Sequence, residues 1–377
     1  MKKVLNVKAQ REIRKKQLKK KYFKVFLLFL AFFGLMLVVW QISLKRLIFK
    51  DKQQTFPILF SGDCVLDFKK NKNGFCVLTN NRLNFYAKNG EFKREVVSSS
   101  ANNKIESFGE FVLCYEKGSK SYSINNQSKV LFSDVLPNNI IFGKIFKNGR
   151  YVIVTESEDF YCDLLVFDKD HKQIFYWGCA ECLINDVDVF EDGNGCFVAA
   201  TRFKDGFCKT FLYELKFSTN EEILKKEFEK CIPILIKKSG SIVILVCDFV
   251  TFFIDANGSV LKEVNYGRDL INFVVTNNGY FIGCFSKLDG NVIKNYLVSY
   301  DKIGNKLAEQ NLDEKVKKIK EYDGDILIVT DNFLFHTNVN LKIKNQIKDL
   351  GNIDEFIYDK PYFYYVSMNK INRLLFK

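Results

Sequence analysis

Along residues 53–377, short apolar runs alternate with polar turn signals, and eight times a turn pair leads at once into such a run. Asn73-Gly74 precedes FCVL, Gly109-Glu110 precedes FVLCY, Asn148-Gly149 precedes RYVIV and Asn194-Gly195 precedes CFVAA. Ser239-Gly240, Asn278-Gly279, Asp323-Gly324 and Lys360-Pro361 do the same for SIVILVC, YFIGCF, DILIV and YFYYV. From position 74 to position 361 the seven steps average 41 residues, the length of one four-stranded propeller blade. Each unit also carries a short alternating segment before its turn, as at 65–68, 105–108, 187–190 and 271–275. A second turn then follows with Asp, Asn or Gly at fixed places: YAKNG at 86–90, FDKDH at 167–171, IDANG at 254–258 and YDKIG at 300–304. Those residue types supply a side-chain-to-backbone bond or a positive φ, which a tight hairpin needs.

The expected fold is therefore all-β, an eight-bladed β-propeller, with seven blades as the alternative if the unit near 100–132 is a distorted insertion. The last unit stops at its third strand, 372–377, and an orphan strand is expected at 55–60. Pairing the two closes the ring and removes an open sheet edge. Residues 220–229 are read as a strand on an elongated hairpin.

One stretch breaks the pattern. Residues 22–44 read YFKVFLLFLAFFGLMLVVWQISL, apolar on every side and about 20 residues long, enough for the ~30 Å hydrocarbon core of a bilayer. Tyr22 and Trp40 stand where rings anchor at the interfaces, and Lys24 can extend its ammonium toward the headgroups. Ten basic residues and one acid precede the segment and Lys24 stands at its start, so the positive-inside rule predicts a cytoplasmic N-terminus and an extracytoplasmic remainder. No small-x-small cleavage pattern follows it, which favours an uncleaved anchor over a signal peptide. The expected organisation is a basic cytoplasmic tail (1–21), a transmembrane helix (22–44), a linker (45–54) and an extracytoplasmic domain (55–377). The formal charge of +13 belongs to the tail: residues 1–52 hold 15 basic and 2 acidic residues, leaving 42 of each beyond. A neutral domain lacks the basic stripe of a nucleic-acid binder, so no nucleic-acid partner is expected.

The basic tail, single anchor, FPILFSGDCVLDF opening and repeated FDxxGK-like hairpins resemble a family of single-pass propeller proteins of clostridial and related Gram-positive bacteria. The units also look, more remotely, like WD-repeat or quinoprotein blades. The resemblance implies a membrane-anchored propeller and carries no activity to any residue. Trp177 sits in FDKDHKQIFYW like a quinoprotein docking residue, but only two tryptophans are present and a quinone enzyme would repeat it.

Chemistry-bearing residues are sparse. His171 lies in a hairpin turn and His336 in a strand, without ligand-like neighbours, and no GxSxG, phosphate loop or HExxH occurs. Glu156, Glu158 and Asp159 form an acidic loop that needs only solvation. Catalytic, metal and cofactor residues are accordingly expected to be none. Of eleven cysteines, Cys76, Cys114, Cys196, Cys247 and Cys284 fall in apolar runs as small buried hydrophobes. Cys179 and Cys182 form a CxxC in a blade connection, a weak signal open to inert thiols, a disulfide or a redox pair.

The function expected from this is a binding or scaffold module for a protein or cell-envelope partner; the alternative is a propeller hydrolase or lyase acting on envelope carbohydrate or peptide. The longest joints on one face carry Asp159, Phe160, Tyr161, Arg202, Phe203, Asp205, Phe207, Lys287 and Asp289, a mixture of aromatics and charges expected of a partner surface. Protease added to wall-stripped intact cells is expected to degrade the domain and leave a small anchored fragment. A protected full-length chain would reverse the topology.

Overall fold

The computed structural model describes residues 55–97, 102–204, 206–219, 221–290 and 292–376, with Gly34, Met36 and Trp40 ahead of them. The chain divides into two units, Met1–Thr55 and Phe56–Lys377. Most of the expected membrane span, including Tyr22 and Lys24, lies outside the described residues; Gly34, Met36 and Trp40 are helical and exposed. Among the described residues no helix is long and apolar enough to cross a membrane.

Residues 56–377 form eight four-stranded antiparallel sheets, an eight-bladed β-propeller. Blades 1 to 7 cover 65–97, 103–135, 140–179, 183–229, 233–265, 269–312 and 316–348, each with its strands in chain order from the channel outward. The region 100–132 is thus an ordinary blade, and the seven-bladed alternative falls. Residues 221–229 form the outer strand of blade 4, as the alternation EEILKKEFE predicts. Each second strand is an apolar run buried on both sides, as in Gly74–Thr79 and Tyr151–Thr155. A blade cannot shield both its faces alone, so its neighbours must.

The buried side chains accordingly fall into eight clusters, one at each seam between adjacent blades. Phe68, Phe75 and Val77 of blade 1 pack on Ile357, Tyr364 and Val366 of blade 8; Phe197 and Ala199 of blade 4 pack on Val243 and Leu245 of blade 5. Burying one such Leu, Val or Phe contributes about 1.5–3 kcal/mol relative to exposure.

The hairpins between third and fourth strands repeat one device. Asp168, Asp255, Asp301 and Asn338 each accept, through Oδ1, the main-chain N–H two and four residues on. The residue three places on is left-handed: His171, Gly258, Gly304 and Leu341. His171 therefore stands where blades 5 and 6 use glycine and blade 7 leucine, and its ring stacks on Phe132 at 4.7 Å.

Blade 8 supplies only three strands (Glu355–Asp359, Tyr362–Ser367, Lys370–Leu375), and its fourth comes from the domain's beginning. That strand is shorter than the sequence suggests: within 55–60 only Ile58–Leu59 joins the ladder, opposite Ile371 and Lys370. The rest of the closure is side-chain work. Asn369, itself left-handed, donates from Nδ2 to the carbonyls of Phe60 (2.8 Å) and Asp63, and its Oδ1 accepts from Val65 N at 2.8 Å. Phe56 packs on Tyr364 and lies under the Arg373 guanidinium at 4.6 Å. Replacing Asn369 by Ala leaves three main-chain groups short of partners, and a loss of ~2–4 kcal/mol is expected. Thermal unfolding of full-length Asn369→Ala against wild type checks this; an unchanged midpoint would mean the clasp is dispensable.

Candidate functional site

Two regions could carry function: the central channel and the face formed by the joints between second and third strands. The channel wall consists of the eight inner strands, each an edge whose outward backbone groups lack a ladder partner on one side. In blades 1, 3, 5 and 7 the residue four places after the first of that strand is lysine: Lys69, Lys144, Lys237 and Lys320. Even-numbered blades present Glu106, Asp186 with Asp188, Asn272 and Glu355. Charge thus alternates with a two-blade period, interrupted at blade 6.

These side chains stitch neighbouring blades. Lys69 lies 3.6 Å from Glu106, and Lys144 2.9 Å from Asp186 while also donating to Val187 O at 3.0 Å. Asp186 and Asp188 accept the main-chain N–H groups of Ile236 (2.9 Å) and Lys238 (2.7 Å) in blade 5. Lys237 donates to Val275 O (3.1 Å) and Asn277 Oδ1 (3.0 Å) in blade 6, and Asn272 Nδ2 to Lys317 O (2.9 Å) in blade 7. Glu355 pairs with both Lys318 and Lys320, and Lys70 meets Asp359 at 3.0 Å across the closing seam.

The environment perturbs these groups in opposite directions. Burial pushes the Glu106 and Asp188 carboxyls up, against the pull of Lys69 and Lys144 respectively. Burial also acts to raise Glu355, but Lys320 and Lys318 outweigh it and hold its carboxyl below the ordinary 4.5. Burial lowers Lys237, the ring lysine with no carboxylate in ion-pair contact among the described residues. Every described channel carboxylate named above is engaged by a lysine or a main-chain N–H, so the channel is built as a stitched wall.

The other face holds the residues singled out from the sequence. At blade 3, Phe160 N bonds Ser157 Oγ at 3.2 Å and its ring lies against Gly178, where a Cβ would come within 2.3 Å. Tyr161 is exposed beside it, and Asp159 belongs to the same connection. Trp177 turns into the seam between blades 3 and 4, 5.0 Å from Tyr213. The stretches expected as long loops at 202–209 and 286–295 are instead β-arms. The strands Gly195–Lys204 and Phe207–Lys216 stay paired to Lys204↔Phe207, and Phe281–Asp289 with Val292–Tyr300 to Asp289↔Val292.

The arms carry exposed apolar side chains: Phe203 68%, Phe207 62%, Leu288 67% and Ile293 65% accessible. Between them the short turn of blade 5 presents Phe249, also exposed. Leu288, Ile293 and Phe249 are additions to the residues expected from the sequence; the apolar positions on either side of Gly290 were the available signal, too short to fix a strand period. Arg202 is held 2.6 Å from Glu181, in the connection between blades 3 and 4, and 4.9 Å above the Phe211 ring of its own blade. Lys287 stands opposite Lys294 in the ladder, and Lys294 pairs with Asp289 at 2.5 Å. Asp205 lies outside the described residues.

Cys179 and Cys182 are free thiols, buried with Cys162 at the seam between blades 3 and 4. Cys179 ends the outer strand rather than lying in the connection, and faces Cys162 across the ladder. Cys162 Sγ donates to Cys182 O at 3.5 Å, as Thr210 Oγ1 does to Cys231 O at the next seam. His336 is buried, with Nε2 2.8 Å from Asp325 Oδ1. Among the described residues no group of three or more His, Cys, Asp or Glu could hold a metal ion.

Glu355→Gln tests the channel wall. Because its folded pKa is depressed, Glu355 stabilises the protein above the ordinary 4.5, and this contribution is lost as pH falls through the folded value. The substitution is expected to lower stability by about 1–3 kcal/mol at pH 7, with the difference from wild type shrinking below pH ~4.5. Denaturant titrations at pH 7 and pH 3.5 measure both limbs, and a pH-independent difference would contradict the assignment.

No protein-family signature and no curated protein sequence matches the chain. Solved structures do. The computationally designed protein Ika8 superposes with a TM-score of 0.62 at 12% identity, covering 84% of this chain and 98% of that one. The C-terminal WD40 domain of Sif2 gives 0.60 at 9% identity over 86% and 98%, and BamB from Moraxella catarrhalis 0.55 at 11% over 86% and 98%. At such identities the likeness is one of fold, a propeller shared with WD40 and BamB-like structures.

Proposed function

We propose that the chain is a membrane-anchored, extracytoplasmic propeller that binds a protein or cell-envelope partner and performs no catalysis. The observation that carries this is the pair of arms on blades 4 and 6. Two-stranded projections are marginal by themselves, and these hold their apolar side chains in solvent around Phe249. A partner that covers them removes apolar area worth about 25 cal/mol per Å².

Photo-crosslinking from single positions tests the reading in cells. A photoreactive residue at Phe203, Phe207 or Ile293 is expected to give a discrete adduct, and one at Lys302 or Asn340 on the opposite face none. Adducts from the opposite face alone would move the site. Combining Phe207→Ser with Ile293→Ser is expected to reduce the wild-type adduct at least about tenfold, because truncated hot-spot residues cost ≥2 kcal/mol.

A further inference from the structure

We propose that the seam between blades 4 and 5 carries a thiol–disulfide exchange site made of Cys208, Cys231 and Cys247, whose substrate is a low-molecular-weight disulfide. Cys208 lies at the base of the blade 4 arm, opposite Phe203 in the ladder, and is only half-buried. Its Sγ donates to Cys231 O at 3.3 Å. Cys231, in the connection between the blades, and Cys247, the last residue of Ile242–Cys247, are buried in one apolar cluster. Cys247 is the ladder partner of Pro233, two residues beyond Cys231.

The backbones on both sides are pinned. Cys231 O accepts from Thr210 Oγ1 at 2.6 Å, and Cys247 O from the Tyr266 hydroxyl at 3.1 Å. The Cys247 thiol is hydrogen-bonded to Cys231, which holds Cys231 below the usual thiol range and pushes Cys247 above it. One half-buried thiol, itself pushed up by burial, and two buried thiols are thus gathered at a single seam. The seam between blades 3 and 4 has three cysteines as well, but Cys162, Cys179 and Cys182 are all fully buried and offer no point of entry.

The exchange balances without another reagent. Cys208 attacks a disulfide RSSR, forming Cys208–S–SR and releasing one RSH that takes the Cys208 proton. Cys231 then attacks the Cys208 sulfur, expels the second RSH and forms Cys208–Cys231. Cys247 attacks Cys231, giving Cys231–Cys247 and returning a proton to Cys208. Two thiols are oxidised and RSSR is reduced to two RSH. The product ties the blade 4–5 connection to the second strand of blade 5, on the arm face beside Phe249.

The test uses the full-length chain with oxidised glutathione as the probe. After timed incubation, free thiols are alkylated under native conditions, and the digested protein is read by mass spectrometry. The expected product is a peptide pair linked through Cys231 and Cys247, with Cys76 and Cys196 alkylated only after unfolding. Cys208→Ser should slow that linkage about tenfold or more, since the entry thiol is gone, without changing the product. Cys247→Ser should stop at Cys208–Cys231 or at glutathione on Cys208; circular dichroism reports whether that variant folds, and the Cys208→Ser time course decides independently. Glutathione on Cys208 alone at equilibrium in wild type would overturn the proposal, as would linkage at an equal rate in Cys208→Ser. The readout requires no partner, so its failure leaves the binding reading standing.

Discussion

The burial of every blade depends on the blade beside it. A single sheet of this propeller has two apolar faces, and neither finds cover within its own four strands. The chain resolves this with eight seams in a ring, each filled by residues from two neighbours. A ring of this kind has no terminal repeat to cap, so the cover for blade 1 must come from blade 8. Blade 8 is the one assembled from both ends of the domain. A two-residue ladder, one asparagine and an aromatic pair therefore carry a closure on which the burial of Phe68, Phe75 and Tyr364 depends.

Closure creates a second problem at the axis. Eight inner strands face a channel with backbone groups that no ladder satisfies. Lysine is suited to this place because its long stem packs along the wall while its ammonium reaches a carbonyl on the next blade. Aspartate serves in the reverse sense, accepting from main-chain N–H groups. The alternation of lysine and acid keeps the narrow space near neutral, which matters where the dielectric is low and a stray charge is costly. The shifts in opposite directions at Glu106 and Glu355 arise from one feature, the number of lysines in contact with each carboxylate against the burial of each.

With the channel occupied by stitching, variability is left to the faces. Blades 4 and 6 extend their second and third strands past their neighbours, whereas blade 5 turns at once at Asp248 and Phe249. The outcome is a recess bordered by two arms, above the seam that holds Cys208, Cys231 and Cys247. Elsewhere a thiol can replace a hydroxyl: Cys162 occupies in blade 3 the place of Thr210 in blade 4.

Much of this was legible in the chain itself. A turn pair followed by an apolar run, eight times at a mean spacing of 41, pointed to eight blades and their strand order, because each strand's environment repeats and local turn chemistry must repeat with it; the seven-bladed alternative fell only to the pairing of the strands within 103–135. Asp168, Asp255 and Asp301 announced their hairpins for the same reason, and His171 was readable as a turn residue rather than a ligand. The reading of 22–44 as a membrane span stands on sequence alone, most of it outside the described residues. What tertiary structure decided are the relations between blades. The pairing of Lys144 with Asp186, the Asn369 clasp and the meeting of Cys231 with Cys247 join residues that have no common local pattern. Whether 202–209 and 286–295 were loops or arms also depended on cross-strand partners, and period-two alternation is too short there to declare them. Local chemistry determines a blade; only packing between blades determines which of its side chains are left for a partner.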